Sequence, residues 1–373
     1  MRRLTARRIL LHDRSTTAGA ILGVVAIIFL VGQQLSVLFG LLNYMSILVD
    51  HSGADIWVCS KNTDNINASG SIPTRYVDRI IGLPEVEWAE PLISTAGRVK
   101  RQDGKYQPVQ VVGLVRPRLS AGPWRFYQGS TDVLLDYDGF TVDRLDLENL
   151  GDPRLHDILE VSDKKVRVNG ITQSIRGFQG TLVFTNLQKA REIANFPSGR
   201  CSNILIKVKP GTPVASTVAR IKKILPQAET LSRQELARNT RRYYMVSTGI
   251  GSSFGFSTMI GAMVGIVIVT LTMYTNVLNR QRDFAVLRAL GARKKDILII
   301  VLYQSLYIGA AGIFIGFLFL ALFLSGTRDT RLPSYMISWV PPVHAVFTIL
   351  LCFAGSLLAM RKATRIEPAS AFR

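Results

Sequence analysis

The sequence predicts an α-helical membrane protein with four transmembrane helices and a large α+β extracytoplasmic domain between helices 1 and 2. Three observations lead there. The runs 15–49, 243–279 and 297–327 contain no Asp, Glu, Lys or Arg, and a fourth apolar run covers 337–360. Basic residues crowd the short segments beside these runs. The long stretch 50–242 alternates strand-like and helix-like patterns at ordinary domain size.

Composition supports a mixed architecture. Of 373 residues, 48% are hydrophobic, yet 19% are charged. The net charge of +19 would suggest nucleic acid in a soluble protein. Its distribution argues otherwise. Residues 1–14, 280–296 and 361–373 hold 15 basic residues against four acidic ones, whereas 50–242 holds 28 against 21. That asymmetry follows the positive-inside rule and places the three basic segments in the cytoplasm. The expected surroundings are a lipid bilayer, with no nucleic-acid partner.

The basic N-terminus, 1–14, precedes an apolar run too long for a signal peptide and without a small-x-small cleavage site. It reads as an uncleaved signal anchor. At about 1.5 Å per residue, helix 15–49 spans about 52 Å, against about 30 Å of hydrocarbon. The helix is therefore expected to project outward as a stalk. Run 243–279 is equally long and is expected to form the second stalk and span.

Between them, strands are expected at 54–60, 109–115, 132–137, 181–185 and 203–209, and helices at 74–81, 187–194 and 214–225. Thr185-x-x-Gln188 and Ser232-x-x-Glu235 read as capping boxes. A strand-rich insert is expected over about 97–184. Span 297–327, a short outer loop at 328–336, span 337–360 and a cytoplasmic tail at 361–373 complete the chain.

The loop 280–296 reads RQRDFAVLRALGARKKD. Phe284, Leu287 and Gly291 recur at helical spacing, Ala285–Leu290 are mostly good helix formers, and Gly291 stands where a helix would stop. A positively charged topogenic loop and a helix resting on anionic lipid are both compatible with the composition. The order of residues adds a third reading. R-D-F-A-V-L-R-A-L-G-A followed by a basic cluster resembles the signature loop of FtsX/MacB-like ABC transporter permeases, with Asp283 in place of the usual Glu.

Further landmarks extend the resemblance over nearly the whole chain. G-A-D-I-W-V at 53–58, Ile72-Pro73 through Val86, and Ile221 to Leu225-Pro226 resemble the MacB-like periplasmic domain. The terminal R-K-A-T-R-I-E-P-A-S-A-F-R resembles the family's C-terminus. T-G-I-G at 248–251 and V-G-I-V-I-V at 264–269 are similar to DevC-like exporters.

The resemblance implies a permease subunit of an ABC exporter in a bacterial inner membrane, with its large domain in the periplasm. Loop 280–296 would be a coupling helix, with Asp283, Phe284, Leu287, Arg288, Leu290 and Gly291 at the ATPase interface. It also implies a separate ABC ATPase subunit, a second copy of the permease forming a homodimer, a periplasmic adaptor and an outer-membrane channel. No cofactor is expected on this chain; ATP and Mg would lie in the partner ATPase. The alternative output is FtsX-like regulation of a cell-wall hydrolase without transport.

Other motifs carry less. No phosphate loop is present: the nearest approach, Gly97…Gly104-Lys105, has the wrong spacing and Tyr106 where Ser or Thr belongs. Gly251-Ser252-Ser253-Phe254-Gly255 matches a nucleophile elbow, but in an apolar helix instead of a strand–turn–helix. An intramembrane serine protease would need Ser253 to meet His344. Glycines four apart, Gly251/Gly255, Gly261/Gly265 and Gly312/Gly316, are candidates for close helix packing. Cys59 and Cys201 either pair as a disulfide or are two buried thiols. Four scattered histidines suggest no metal site.

Overall fold

The structure is a computed structural model that describes residues 6, 10, 14–101, 103–177, 180–279, 283, 286–287, 291–328 and 330–363. It divides into two compact units. One comprises residues 1–40, 251–328 and 332–373; the other comprises 41–250 and 329–331.

Helix α1, Arg14–Asp50, is continuous over 37 residues, so its last turns belong to the second unit. There Ile47, Leu48 and Val49 are buried in the core of the domain. Asp50 ends the helix, where the helix dipole disfavours an acid. Arg241 pairs with its carboxylate and Arg233 donates to its backbone carbonyl.

The domain has two parts sharing one long strand. β1 (Ile56–Ser60), β2 (Ile72–Pro73), α2 (Tyr76–Ile81) and β3 (Val86–Lys100) lead into the insert. The insert comprises β4 (Tyr106–Leu114), β5 (Phe126–Gln128), β6 (Gly139–Asp143), α3 (Leu147–Leu150), β7 (Ile158–Val161), β8 (Lys164–Thr172), β9 (Arg176–Gly177) and β10 (Gly180–Asn186). The chain returns through α4 (Leu187–Ile193), β11 (Arg200–Cys201), β12 (Asn203–Val208), α5 (Val214–Ile224), β13 (Ala228–Ser232) and α6 (Arg233–Ser247).

The first part is a sheet in the order β13-β1-β12-β3, antiparallel throughout. It is buried on both faces, which explains its unbroken apolar strands. Ile56, Val58, Ile204 and Ile206 pack on one side with Val218 and Ile221 of α5. Trp57, Cys59, Leu205 and Leu231 pack on the other with the end of α1 and with Leu236 of α6. β3 then runs on into the insert. There the ladder β3-β4-β10-β6-β8-β7 returns to β3, closing a small barrel. Closure removes the free edges that an open sheet would expose. Ile93, Val111, Phe140, Val142, Val168 and Val183 fill its core.

Several expectations need correction. Residues 132–137 form no strand; Thr131–Leu134 is a 3-10 turn that buries Leu134 alone. The cap of α4 is Asn186, whose side chain accepts from Lys189 N–H, while Thr185 donates to Gly139 O. Ser232 caps α6 as expected, accepting from Glu235 N–H at 3.2 Å. Cys59 and Cys201 are free and buried, in core clusters on opposite faces of the sheet, so no bridge joins them. Burial pushes the Cys201 thiol up to about 11 and raises that of Cys59 as well.

The second stalk differs most from expectation. α6 ends at Ser247, Gly249 takes φ +76°, and α7 (Ile250–Asn279) begins anew. The run 243–279 is therefore two helices. α8 (Lys294–Gly326) and α9 (Val340–Ala363) follow. Among the described residues, four helices, α1, α7, α8 and α9, are long and apolar enough to cross a membrane.

Within the first unit, α1 is the helix the others notch against. A Cβ on Gly312 would lie 2.5 Å from Val24 Cβ, one on Gly316 2.7 Å from Ile28 Cβ, and one on Gly265 2.9 Å from Ile27 Cβ. Without a hydrophobic drive between helices in lipid, such close backbone approach is a main source of cohesion. Gly261 makes only a loose contact, 3.9 Å from Val31, and Gly255 meets nothing within 4 Å. Gly251 is half-buried in the first turn of α7. The expected packing role therefore does not extend to Gly255 within this chain. α8 and α9 are joined by a Ser305–Ser356 hydrogen bond.

Candidate functional site

The segment between α7 and α8 is built by its two ends. Gly291 has φ +94°, and Ala292 N–H donates to Leu287 O at 3.0 Å. This six-to-one bond across a left-handed glycine is the Schellman stop, which ends a helical segment and satisfies its last carbonyls. Only glycine adopts that φ without strain. Arg293 N–H then donates to the Asp296 carboxylate at 3.0 Å, capping the start of α8. The acid also sits favourably in the first turn of α8. A tight turn over 291–293 thus leads into α8.

Upstream of that turn, Asp283, Val286 and Leu287 are helical. Asp283 is exposed. Leu287 is half-buried against a cluster of Val277, Ile297, Val301 and Met360, with Tyr274 and Leu298 beside it. The sequence reading aims Leu287 outward, at a partner; the structure turns it inward, onto the ends of the membrane helices. Among the described residues of the loop, Val286 is an exposed apolar side chain, at 55% accessibility. No signal in the loop's own residues distinguishes the two, because the inward turn of Leu287 is set by residues of other helices. Phe284, Arg288 and Leu290 lie outside the described residues.

The serine-protease constellation does not form. His344 is buried at the start of α9 with its ring edge-on to Phe317, 6.3 Å between centroids. Its Nε2 has no hydrogen-bond partner among the described residues, and Ser253 is exposed on α7. A base must reach its nucleophile, and this one does not. Among the described residues, no group of three or more His, Cys, Asp or Glu could hold a metal ion.

Comparisons with known proteins bear on both units. The FtsX-like permease C-terminal model matches residues 255–368, and the MacB-like periplasmic core domain model matches residues 16–224. An uncharacterised ABC transporter permease of Methanocaldococcus jannaschii is 26% identical over 238 residues, covering 59% of this chain and 58% of that protein. An uncharacterised ABC transporter permease protein of Mycobacterium tuberculosis is 26% identical over 137 residues, covering 37% of this chain and 15% of that protein. The chain thus spans less than two thirds of the length of either relative. Among solved structures, the periplasmic region of MacB from Actinobacillus actinomycetemcomitans is similar at 12% identity and TM-score 0.38, covering 50% of this chain and 93% of that one. The extracellular domain of YknZ, a noncanonic ABC-type transporter from Gram-positive bacteria, is similar at 10% identity and TM-score 0.37, covering 48% and 99%. With the core-domain model matched over more than half of its residues and the permease model over the last three helices, the chain belongs to the FtsX-like permeases that carry a MacB-like periplasmic core domain.

Proposed function

We propose that this chain is the membrane subunit of an ABC exporter. It couples ATP hydrolysis by a separate ATPase subunit to motion of its extracytoplasmic domain. It does so as a homodimer, in a bacterial inner membrane, with a periplasmic adaptor and an outer-membrane channel, in the manner of DevC-like exporters. The substrate class is amphipathic. ATP and Mg belong to the partner, and this chain supplies no catalytic group.

One observation carries the reading most directly. Helical residues Asp283, Val286 and Leu287 lie between two membrane-length helices, ahead of the left-handed Gly291, and expose a charge at Asp283 beside an apolar side chain at Val286. An apolar contact flanked by charge suits docking onto a soluble partner, where the apolar anchor supplies affinity and the charge orientation. Leu287 has the complementary task of fastening the segment to the membrane helices, so that a push on the segment moves them.

The experiment is co-purification of the ATPase from native membranes in mild detergent, followed by an ATPase assay. Val286→Asp and Phe284→Ala are expected to weaken capture by about 2 kcal/mol each, about thirtyfold, with normal membrane insertion. Asp283→Asn is expected to do less. If capture depends instead on Lys294 and Lys295, or if wild-type protein brings down no ATPase under conditions that hold comparable transporters together, the reading fails.

A further inference from the structure

The barrel carries a cleft between the end of β3, the loop 151–157 and β7, with a volume of about 620 Å³. That size suits a small organic molecule. Every residue lining it belongs to the extracytoplasmic unit. Part of its wall is apolar. Leu150 and Pro153 are buried there and Leu159 is half-buried. Ile158 lines the cleft too, although it is 61% exposed.

The rest of the wall is charged, and its charges are unequally satisfied. Asp157 accepts from the N–H of Arg154 at 2.8 Å, within its own turn. Glu160 pairs with Lys100 at 3.6 Å. Arg101 reaches Asp103 at 3.4 Å through Nη2, while its Nε is buried with no acceptor among the described residues. A buried guanidinium N–H calls for an acceptor, and a charged one is the strongest. Arg154 is exposed, and its guanidinium has no partner among the described residues. Asp152, also exposed, is the lining acid without a partner among them. The loop is fixed before any ligand arrives. Gly151 and Asp152 take φ of +88° and +53°, Asp152 N–H donates to Leu147 O at 2.8 Å, and His156 N–H donates to Val168 O at 2.7 Å. A site already in shape loses less freedom on binding.

We infer that this cleft binds an amphipathic anion, its charged head on Arg101 and Arg154 and its apolar chain along Pro153, Ile158 and Leu159. A guanidinium suits such a head because its N–H donors form a planar fork that matches phosphate and carboxylate oxygens. The apolar wall beside the two arginines gives the chain a place that water fills poorly. The inference stands on the cleft alone and does not rest on the transport reading, since binding here holds or fails whether or not an ATPase couples to the chain.

Calorimetric titration of the full chain in phosphatidylcholine nanodiscs, with the heat of empty nanodiscs subtracted, tests it. Hexyl phosphate is expected to saturate one site per chain and to bind more tightly than either inorganic phosphate or hexanol. Arg154→Gln and Arg101→Gln are each expected to weaken hexyl phosphate by about tenfold. Ile158→Ser is expected to weaken hexyl phosphate roughly fourfold and to leave inorganic phosphate unchanged. Asp152→Asn removes the opposing charge, keeps a residue that tolerates a left-handed φ, and is expected to tighten binding of both. Absence of saturable binding by hexyl phosphate overturns the site. So does equal affinity in the wild type and Arg154→Gln, which would put the ligand elsewhere. Hexanol binding as tightly as hexyl phosphate overturns the role of the arginines, and inorganic phosphate binding as tightly overturns that of the apolar wall. If Arg101→Gln does not fold, the exposed positions decide: Arg154→Gln must weaken binding and Asp152→Asn must tighten it, and failure of either refutes the assignment.

Discussion

The two helices that enter the extracytoplasmic domain solve the same problem differently. α1 runs unbroken from Arg14 to Asp50 and buries its last turns among apolar residues of the domain. The returning route is jointed: α6 stops at Ser247, Gly249 takes a left-handed conformation, and α7 starts at Ile250. α6 is also polar, with five charged side chains in RQELARNTRRYYMVS and a buried stripe of Leu236, Ala237, Thr240 and Tyr244. The Tyr244 hydroxyl accepts from Asn65 Nδ2 at 3.1 Å, and Asn67 Nδ2 donates to Met45 O of α1 at 2.8 Å. A continuous helix carries displacement along its axis with little loss. The returning route is broken into two helices at one left-handed residue. The outgoing connector is a single helical rod, and the returning one is two helices that meet at a hinge residue, Gly249.

The largest effect should come from breaking the rod. Met45→Pro removes a helix hydrogen bond and clashes with the preceding turn, so a loss of about 3 kcal/mol or more is expected. Thermal unfolding of the purified full chain would read it. A glycine inserted after Gly249 should cost far less, because the chain is already non-helical there. Equal losses from the two changes would erase the distinction.

The rod also has to stay seated among its neighbours. Gly312→Val places side-chain atoms where Val24 already sits, so overpacking of about 1–3 kcal/mol is expected. Gly255→Ala, in open space, should be neutral or slightly stabilising. Thermal unfolding in matched lipid nanodiscs compares the two; a costly Gly255→Ala would reveal a neighbour that the single chain does not contain.

Gly249→Ala tests the hinge itself. Holding alanine at φ +76° costs about 1 kcal/mol. The same substitution at Gly19, a helical glycine with nothing within 4 Å, should stabilise instead. The smallest effect is expected at the end of the rod. Asp50→Asn loses its pairing with Arg241, but both side chains are partly exposed, so less than about 1 kcal/mol should be lost, and less still in high salt.

How far these features could be read from the chain depends on where their cause lies. The four membrane-length runs were legible because a soluble helix of about 20 residues or more needs charge on its wet face, and only a bilayer removes that need. The strands of the first sheet were legible because burial on both faces makes IWVCS and NILIKV nearly continuous apolar runs. The barrel was harder. KKVRVNGIT in β8 carries charge on its outer positions, and ILEV in β7 is short, so neither stands out from a loop. DVLLDY misled for the opposite reason, being apolar while burying only Leu134 fully. At the candidate docking segment, the stop at Gly291 was legible from residue type. The inward turn of Leu287 was not, since it depends on Val277, Val301 and Met360 of three other helices.

β3 is one strand of 15 residues that serves two sheets: Val86–Leu92 pairs with β12, and Ile93–Lys100 pairs with β4. No loop separates the two duties. The barrel is therefore not a cassette that recombination could lift out at a flexible boundary, since any cut would fall in mid-strand. A slip of one residue would turn the side chains of both cores to the wrong face at once. The two parts of the domain must consequently fold as one cooperative unit, and over evolutionary time they must drift together.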